Sequence, residues 1–241
     1  MMRVLAIDTS NQTMSIAVKD GDFIVGEVTT HIKRNHSERL MPAISELLKD
    51  VNWTPSDLDR IVVAQGPGSY TGLRIGITIA KTLAWTLGKE LVGLSSLEVL
   101  AGNREESPHY IVPFFDARRE NLYTGLYKNT KNGLEAVIPD QHISAKDWIK
   151  ELAKLEGTFE LVSPDIEKYQ AMFVEELESR LAPVPMKDHL PKAGVLADLG
   201  ERKAPQDAHT FAPIYLKLAE AEEIWQEQNP DQVGGDYIEK I

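Results

Sequence analysis

The chain of 241 residues contains no cysteine. Disulfide staples, thiolate metal sites and cysteine nucleophiles are excluded, so stability has to come from ordinary packing. No segment approaches the roughly 18 consecutive apolar residues that a membrane-spanning helix requires. Met1-Met2-Arg3 leads into a strand-like segment rather than a signal peptide, and a cytoplasmic location is expected. Positive charge is scarce, with 26 Lys and Arg against 37 Asp and Glu, a formal net charge of −11. A nucleic-acid surface working alone needs clustered cations, so this balance argues against one and favours a basic partner. Part of the excess is local: residues 219–241 carry Glu220, Glu222, Glu223, Glu227, Asp231, Asp236 and Glu239 against Lys240 alone. That tail reads as a solvated helix followed by a Pro- and Gly-containing end. The remaining composition, 42% hydrophobic and 26% charged, suits one large or two modest globular domains.

One stretch stands out, Gln65-Gly66-Pro67-Gly68-Ser69-Tyr70-Thr71-Gly72-Leu73-Arg74-Ile75-Gly76. It follows the apolar run Ile61–Ala64, which reads as a buried strand, and it enters a segment, Leu73 to Leu87, with the length and spacing of a helix. Glycines permit positive φ and close approach, and Pro67 stiffens the turn. Unpaired amides at a helix start suit an anion, which makes Gly66, Gly68, Ser69 and Gly72 candidate contacts for a phosphate. The spacing G-x-G-x-x-x-G matches neither a Walker loop nor the dinucleotide fingerprint, and the stretch also reads simply as the tight start of a helix.

Taken in order, Arg3 to Ile7, Met14 to Val18 and Phe23 to Thr29 read as three strands in a meander, the last two joined at Asp20-Gly21. A helix capped by Asn35 with Glu38 follows, with Leu40, Ile44, Leu47 and Leu48 on one face. After a short turn at Thr54–Asp57 come the strand, the Gly-rich turn and its helix, a strand Leu91 to Leu94, and a helix capped by Ser95. The second half repeats this order. Strands are expected at Tyr110 to Phe115, Asn121 to Lys128 and Leu134 to Ile138, then a helix capped by Ser144 and a strand from Phe159 to Val162. A helix from Ile166 to Leu181, an edge strand at Val184-Pro185-Met186 and a closing helix from Ala193 to Lys203 complete it. Two lobes of βββαβαβα order describe an α/β, two-lobed actin-like architecture related to the ribonuclease-H-like folds (the ASKHA group). The polar stretch Gly102–Pro108 divides it into residues 1–104 and 105–241. In that architecture the first hairpin of each lobe holds nucleotide phosphates, which places Asp8, Thr9, Ser10 and Asp116 as further contacts; Asp8, Thr9 and Ser10 read equally as turn formers.

Several motifs together carry a family resemblance. Ala6–Ser10, His36–Leu40, Gly66–Gly76, Gly93–Glu98, Asp116–Arg119 and, less densely, Pro213–Lys217 resemble the TsaB (YeaZ) family of bacterial tRNA threonylcarbamoyladenosine biosynthesis proteins. The resemblance implies a non-catalytic assembly partner of TsaD, the subunit that transfers the threonylcarbamoyl group to the adenosine beside the anticodon. It also implies work with the small ATPase TsaE, a homodimer when alone, tRNA met only through the complex, and dimerisation through helices of the first lobe. ATP or ADP at the partner interface is the cofactor such a site would take.

The residues agree with an absence of chemistry. TsaD-like enzymes carry a metal-binding HxxxH pair, whereas His31 and His36 stand five apart, roughly 500° around a helix, and would not converge. No metal site and no catalytic residue is expected, and a peptidase reading lacks both ligands and triad. Asp116 is followed by Ala-Arg-Arg where an active kinase of this superfamily has a glycine-containing hairpin. A small-molecule kinase or ATPase using Asp8, the Gly-rich loop and Asp116 is the alternative reading. The helix from Leu73 to Leu87 has apolar stripes on two sides, Leu73, Ile77, Ala80 and Ala84 on one and Ile75, Ile79 and Leu83 on the other. A narrow polar line of Arg74, Thr78 and Lys81 separates them. Burial on two sides fits either a central helix or a subunit interface, and the expected interface comprises Leu40, Ile44, Leu73, Arg74, Ile75, Ile77, Thr78, Ile79 and Lys81.

Overall fold

The computed structural model describes residues 1–32 and 35–217, so the acidic segment 219–241 lies outside the described residues. The first lobe opens with an antiparallel meander of β1 (Arg3–Asp8), β2 (Thr13–Asp20) and β3 (Phe23–His31). It continues through α1 (His36–Asp50), β4 (Arg60–Gly66), α2 (Tyr70–Leu87), β5 (Glu90–Ser95) and α3 (Ser96–Gly102). The sheet order is β3-β2-β1-β4-β5, with β4 parallel to both of its neighbours. Alternate residues of a strand face opposite sides, and here both sides are covered, which is why the central strands read as unbroken apolar runs. Leu5, Ile7, Ile61 and Val63 point into a core closed by α1 and α2. Val4, Ala6, Val62 and Ala64 form the core on the opposite face.

The second lobe repeats this plan with β6 (Tyr110–Asp116), β7 (Asn121–Thr130), β8 (Gly133–Ser144), α4 (Ala145–Ala153), β9 (Phe159–Val162), α5 (Ile166–Leu177) and β10 (Leu181–Ala182). Its sheet runs β10-β9-β6-β7-β8, so each strand occupies the place of its counterpart in the first lobe. This is the doubled, two-lobed actin-like arrangement. The lobes meet at α3, which sends Val99 to the first lobe's core and Leu97, Leu100 and Ala101 to the back of the second sheet. The Ser95 hydroxyl caps α3, accepting from the amides of Leu97 and Glu98, and donates to Asp140 of β8. Tyr127 donates to the other oxygen of the same carboxylate, at 2.5 Å, so one half-buried acid, bonded to Ser95 of the first lobe, ties the lobes together.

Several elements differ in place or detail from the sequence reading. The closing helix, α6 (Ala193–Glu201), lies across β1 and β2 on the first sheet. Its small residues permit close contact: a Cβ on Gly200 would stand 2.3 Å from a methyl of Val62. Lys19, buried in β2, anchors it through Asp198 at 2.7 Å and Glu201 at 2.5 Å. The edge strand falls at Leu181–Ala182 rather than Val184–Met186, since Pro183 and Pro185 have no amide to continue the ladder. Consequently α5 stops at Leu177 rather than running to Leu181. Asn35 does sit at the N-cap of α1, but its side chain accepts from Ser37 Oγ and makes no capping bond, whereas Ser95 and Ser144 cap as expected.

Candidate functional site

The Gly-rich turn and the first hairpin are brought together as one packed unit. Ser69 caps α2 by accepting from the amide of Gly72, so the helix begins at Tyr70, three residues before the apolar periodicity. Its glycines face the turn between β1 and β2. A Cβ on Gly68 would lie 2.1 Å from the Ser10 carbonyl oxygen, one on Gly72 would lie 2.2 Å from that of Thr9, and one on Gly76 would lie 2.4 Å from Thr9 Oγ1. The Ser69 amide donates to the Ser10 carbonyl at 2.6 Å, and the Thr9 hydroxyl donates to the Gly72 carbonyl at 2.8 Å. The space that glycines open for a phosphate in other loops is filled here by the protein's own backbone.

Asp8 and Ser10 are completely buried and Thr9 nearly so. Asp8 Oδ1 accepts from the Ser10 amide at 2.8 Å, while Oδ2 has no partner among the described residues. Burial pushes the Asp8 carboxyl above its ordinary range against the opposing pull of the Ser10 amide and hydroxyl and of His36. His31 and His36 grip the ends of this hairpin, the first through Thr13 Oγ1 at 2.8 Å and the second through the Asn11 carbonyl at 2.9 Å. Asp116 closes β6 in the second lobe. Its carboxylate accepts from the Arg118 amide at 2.9 Å, from Tyr169 at 2.7 Å and from Lys168 at 2.6 Å. Burial pushes Asp116 up, but those three partners together hold it below the usual carboxylate range. Burial and then the hydrogen bond to Asp116 push the Tyr169 hydroxyl up to about 12. Arg118, Arg119 and Glu120 come next, in left-handed backbone, with φ of 66°, 50° and 59°. With the first hairpin sealed and the second occupied, these residues do not fit a nucleotide, and the kinase or ATPase reading gains no support from them.

The residues expected at a partner interface separate into two groups. Leu40, Ile44, Leu73 and Ile77 are buried in this lobe's own core. They hold α1 and α2 against the sheet and offer no surface. Ile75, Ile79 and Lys81 are half-buried, and Arg74 and Thr78 are exposed. The surface of α2 also carries Tyr70 and Trp85, 48% and 69% exposed, neither of which the apolar periodicity singles out. A signal for them exists in the sequence: Tyr70 stands one turn before Arg74 and Trp85 stands one turn after Lys81, on the polar line of the helix. Residues 204–217 form a strap beside this helix. The Gln206 amide bonds the Leu91 carbonyl, Gln65 Nε2 donates to Ala212, the Ile214 amide donates to Gln65, and Lys81 Nζ donates to the carbonyl of Phe211.

Comparison with known proteins identifies the lineage. The family model described as TsaD, tRNA N6-adenosine threonylcarbamoyltransferase, matches residues 24–225. The tRNA threonylcarbamoyladenosine biosynthesis protein TsaB of Bacillus subtilis is 44% identical over 226 residues, covering 94% of this chain and 99% of the relative. The chain belongs to the TsaB family. Escherichia coli TsaB is 29% identical over 90% of this chain and 95% of its own length. Among solved structures, YeaZ from Pseudomonas aeruginosa has the same fold, with a TM-score of 0.73 at 24% identity, covering 90% of this chain and all of that one. Among the described residues, no helix of this TsaB-family chain is long and apolar enough to cross a membrane, and no group of three or more His, Cys, Asp or Glu could hold a metal.

Proposed function

We propose that this chain serves tRNA N6-threonylcarbamoyladenosine formation as a non-catalytic assembly subunit that supports a TsaD-family transferase. The observation that carries the reading is the near full-length likeness to Bacillus subtilis TsaB in a chain whose two hairpins are filled by their own neighbours. With both hairpins filled among the described residues, the chain contributes through its surfaces, and the exposed side of α2, next to α1, is the surface built for it. Alone, the chain forms a homodimer through this face; with the transferase it exchanges that contact for a heterodimer. A TsaE-like ATPase and tRNA join through the assembled complex, because a charge of −11 repels a polyanion.

Reconstitution tests this directly. Purified TsaD-family enzyme from the same organism, with the remaining pathway proteins and tRNA, should yield threonylcarbamoyladenosine only when this chain is added. Equal product without it removes the assigned role. Ile75→Glu or Ile79→Glu should abolish dimerisation in size-exclusion runs while the far-ultraviolet spectrum stays native, since a carboxylate at a half-buried interface position leaves a desolvated charge.

A further inference from the structure

Arg74 stands on the exposed side of α2, one turn beyond Tyr70. Its guanidinium lies over the Tyr70 ring, 4.0 Å from the centroid, and its Nε donates to the Tyr215 hydroxyl at 3.0 Å. The two tyrosine rings stack 5.0 Å apart at 27°. Tyr215 is held by the strap, which the Ile214 amide fastens to the end of β4 at 2.8 Å. A Cβ on Gly66 would meet the Ile214 carbonyl at 2.4 Å, so strap and Gly-rich turn are in contact. Among the described residues, no carboxylate comes within ion-pair distance of Arg74, and its two terminal nitrogens meet no acceptor. An arginine normally loses much side-chain freedom when it binds; this one is already held on two sides, with the fork of its guanidinium turned outward.

The surroundings define what the fork would receive. Helix α2 contains no acidic residue, though the chain as a whole is strongly acidic. The exposed rings of Tyr70 and Tyr215 border the guanidinium with apolar surface, and exposed Ile214 precedes Tyr215 in the strap. A nucleic-acid backbone would bring many charges against a −11 protein and would leave that apolar rim unused. A single carboxylate flanked by apolar side chains fits both. We infer that Arg74, oriented by Tyr70 and Tyr215, is a docking residue that takes an aspartate or glutamate side chain of the TsaD-family subunit. Tyr215 is the positioning residue, which gives the strap a role in partner recognition. This inference rests on the reading that the exposed side of α2 is the partner interface.

The test is titration calorimetry of the full chain against the TsaD-family subunit from the same organism at several salt concentrations. Arg74→Gln should weaken binding by at least about 30-fold, the scale of a central interface residue, and should flatten the salt dependence. Arg74→Lys should recover little of it, because an ammonium cannot make the bidentate contact. Tyr215→Phe keeps the stack but loses the hydroxyl, and should weaken binding about 5-fold, the scale of one hydrogen bond. Ile79→Glu separates the two ideas. If it abolishes binding while Arg74→Gln stays within about twofold of wild type, a difference too small for a desolvated charge pair, the inference fails and the interface stands. If neither substitution matters, the interface reading fails as well. Neutralising Glu220, Glu222 and Glu223 to Gln should leave affinity unchanged; a tightening would assign the fork to the chain's own acidic segment and overturn the proposal.

Discussion

The two hairpins of this molecule begin alike and end differently. In each, a strand closes on an aspartate whose Oδ1 accepts from the amide two residues on, Asp8 to Ser10 at 2.8 Å and Asp116 to Arg118 at 2.9 Å. The neighbouring helix then decides the environment of each carboxylate. In the first lobe, α2 presents glycines and its start lies directly on the turn, excluding water and leaving Asp8 wholly buried. In the second, α5 presents Lys168 and Tyr169, which reach the carboxylate with polar groups and leave it a quarter exposed. Small residues seal one turn, while long polar ones keep the other ionised. The same local device thus serves as a packing joint in one lobe and as a charged cluster in the other.

Filling the space that glycine leaves is the strongest way to break this contrast. Gly72→Ala puts a methyl 2.2 Å from the Thr9 carbonyl oxygen, where both sides of the clash are backbone and neither can rotate away. The expected cost is about 3 kcal/mol, the upper end for overpacking, read from the midpoint of urea unfolding. A loss under about 1 kcal/mol, no more than the mildest overpacking, would mean that α2 can lift off the hairpin, and the sealed description would fail.

Most of the architecture is legible in the sequence because its causes are local or periodic. The run Ile61–Ala64 announces a strand covered on both faces, and Ser95 and Ser144 announce helix starts through groups only two or three residues away. The apolar stripe of Leu73, Ile77, Ala80 and Ala84 is equally visible, but periodicity gives a face without saying what it meets. That is why the spacing leaves Leu40, Ile44, Leu73 and Ile77 open to a core and to a partner surface alike, and they fill the lobe's own core. The return of α6 to the first sheet is hidden for a related reason. Ala193, Ala197 and Gly200 signal close packing, yet nothing in their spacing selects one sheet over the other. Asp8 followed by hydroxyl residues suits an anion site and a turn equally well, and only the position of the Gly72 backbone decides between them.

Asn substitutions at the two aspartates should move stability in opposite directions at neutral pH. Burial raises the folded-state pKa of Asp8, so its favourable contribution is present below the unfolded value of about 3.9 and is lost as pH rises through the folded value. Asp8→Asn retains the acceptor for the Ser10 amide and removes the buried charge, and should stabilise by about 1 kcal/mol at pH 7, with no gain below pH about 4. For Asp116 the sign reverses. Its lowered pKa gives stability that is present above the unfolded value and lost as pH falls through the folded one. Asp116→Asn should therefore cost up to about 1 kcal/mol at pH 7 and nothing in acid. Unfolding curves across pH check both, and parallel shifts of the two variants would contradict the assigned environments.

The smallest effect concerns the backbone of the second turn. Arg118 adopts φ of 66°, a left-handed conformation that costs a residue with a Cβ about 1–2 kcal/mol. Glycine relieves that strain but gives back about 0.5–1 kcal/mol in unfolded-chain freedom, so Arg118→Gly should stabilise by roughly 0.5 kcal/mol. Asn11, at the corresponding turn of the first lobe, is not left-handed, and its side chain accepts from the Thr13 amide at 2.7 Å. Asn11→Gly should therefore destabilise by about 1 kcal/mol, the worth of the bond removed. Thermal melts of the pair give a difference of opposite signs from one substitution type. If both variants lose stability equally, the left-handed turn of the second lobe carries no strain, and the divergence of the two hairpins lies wholly in the side chains that α2 and α5 bring to them.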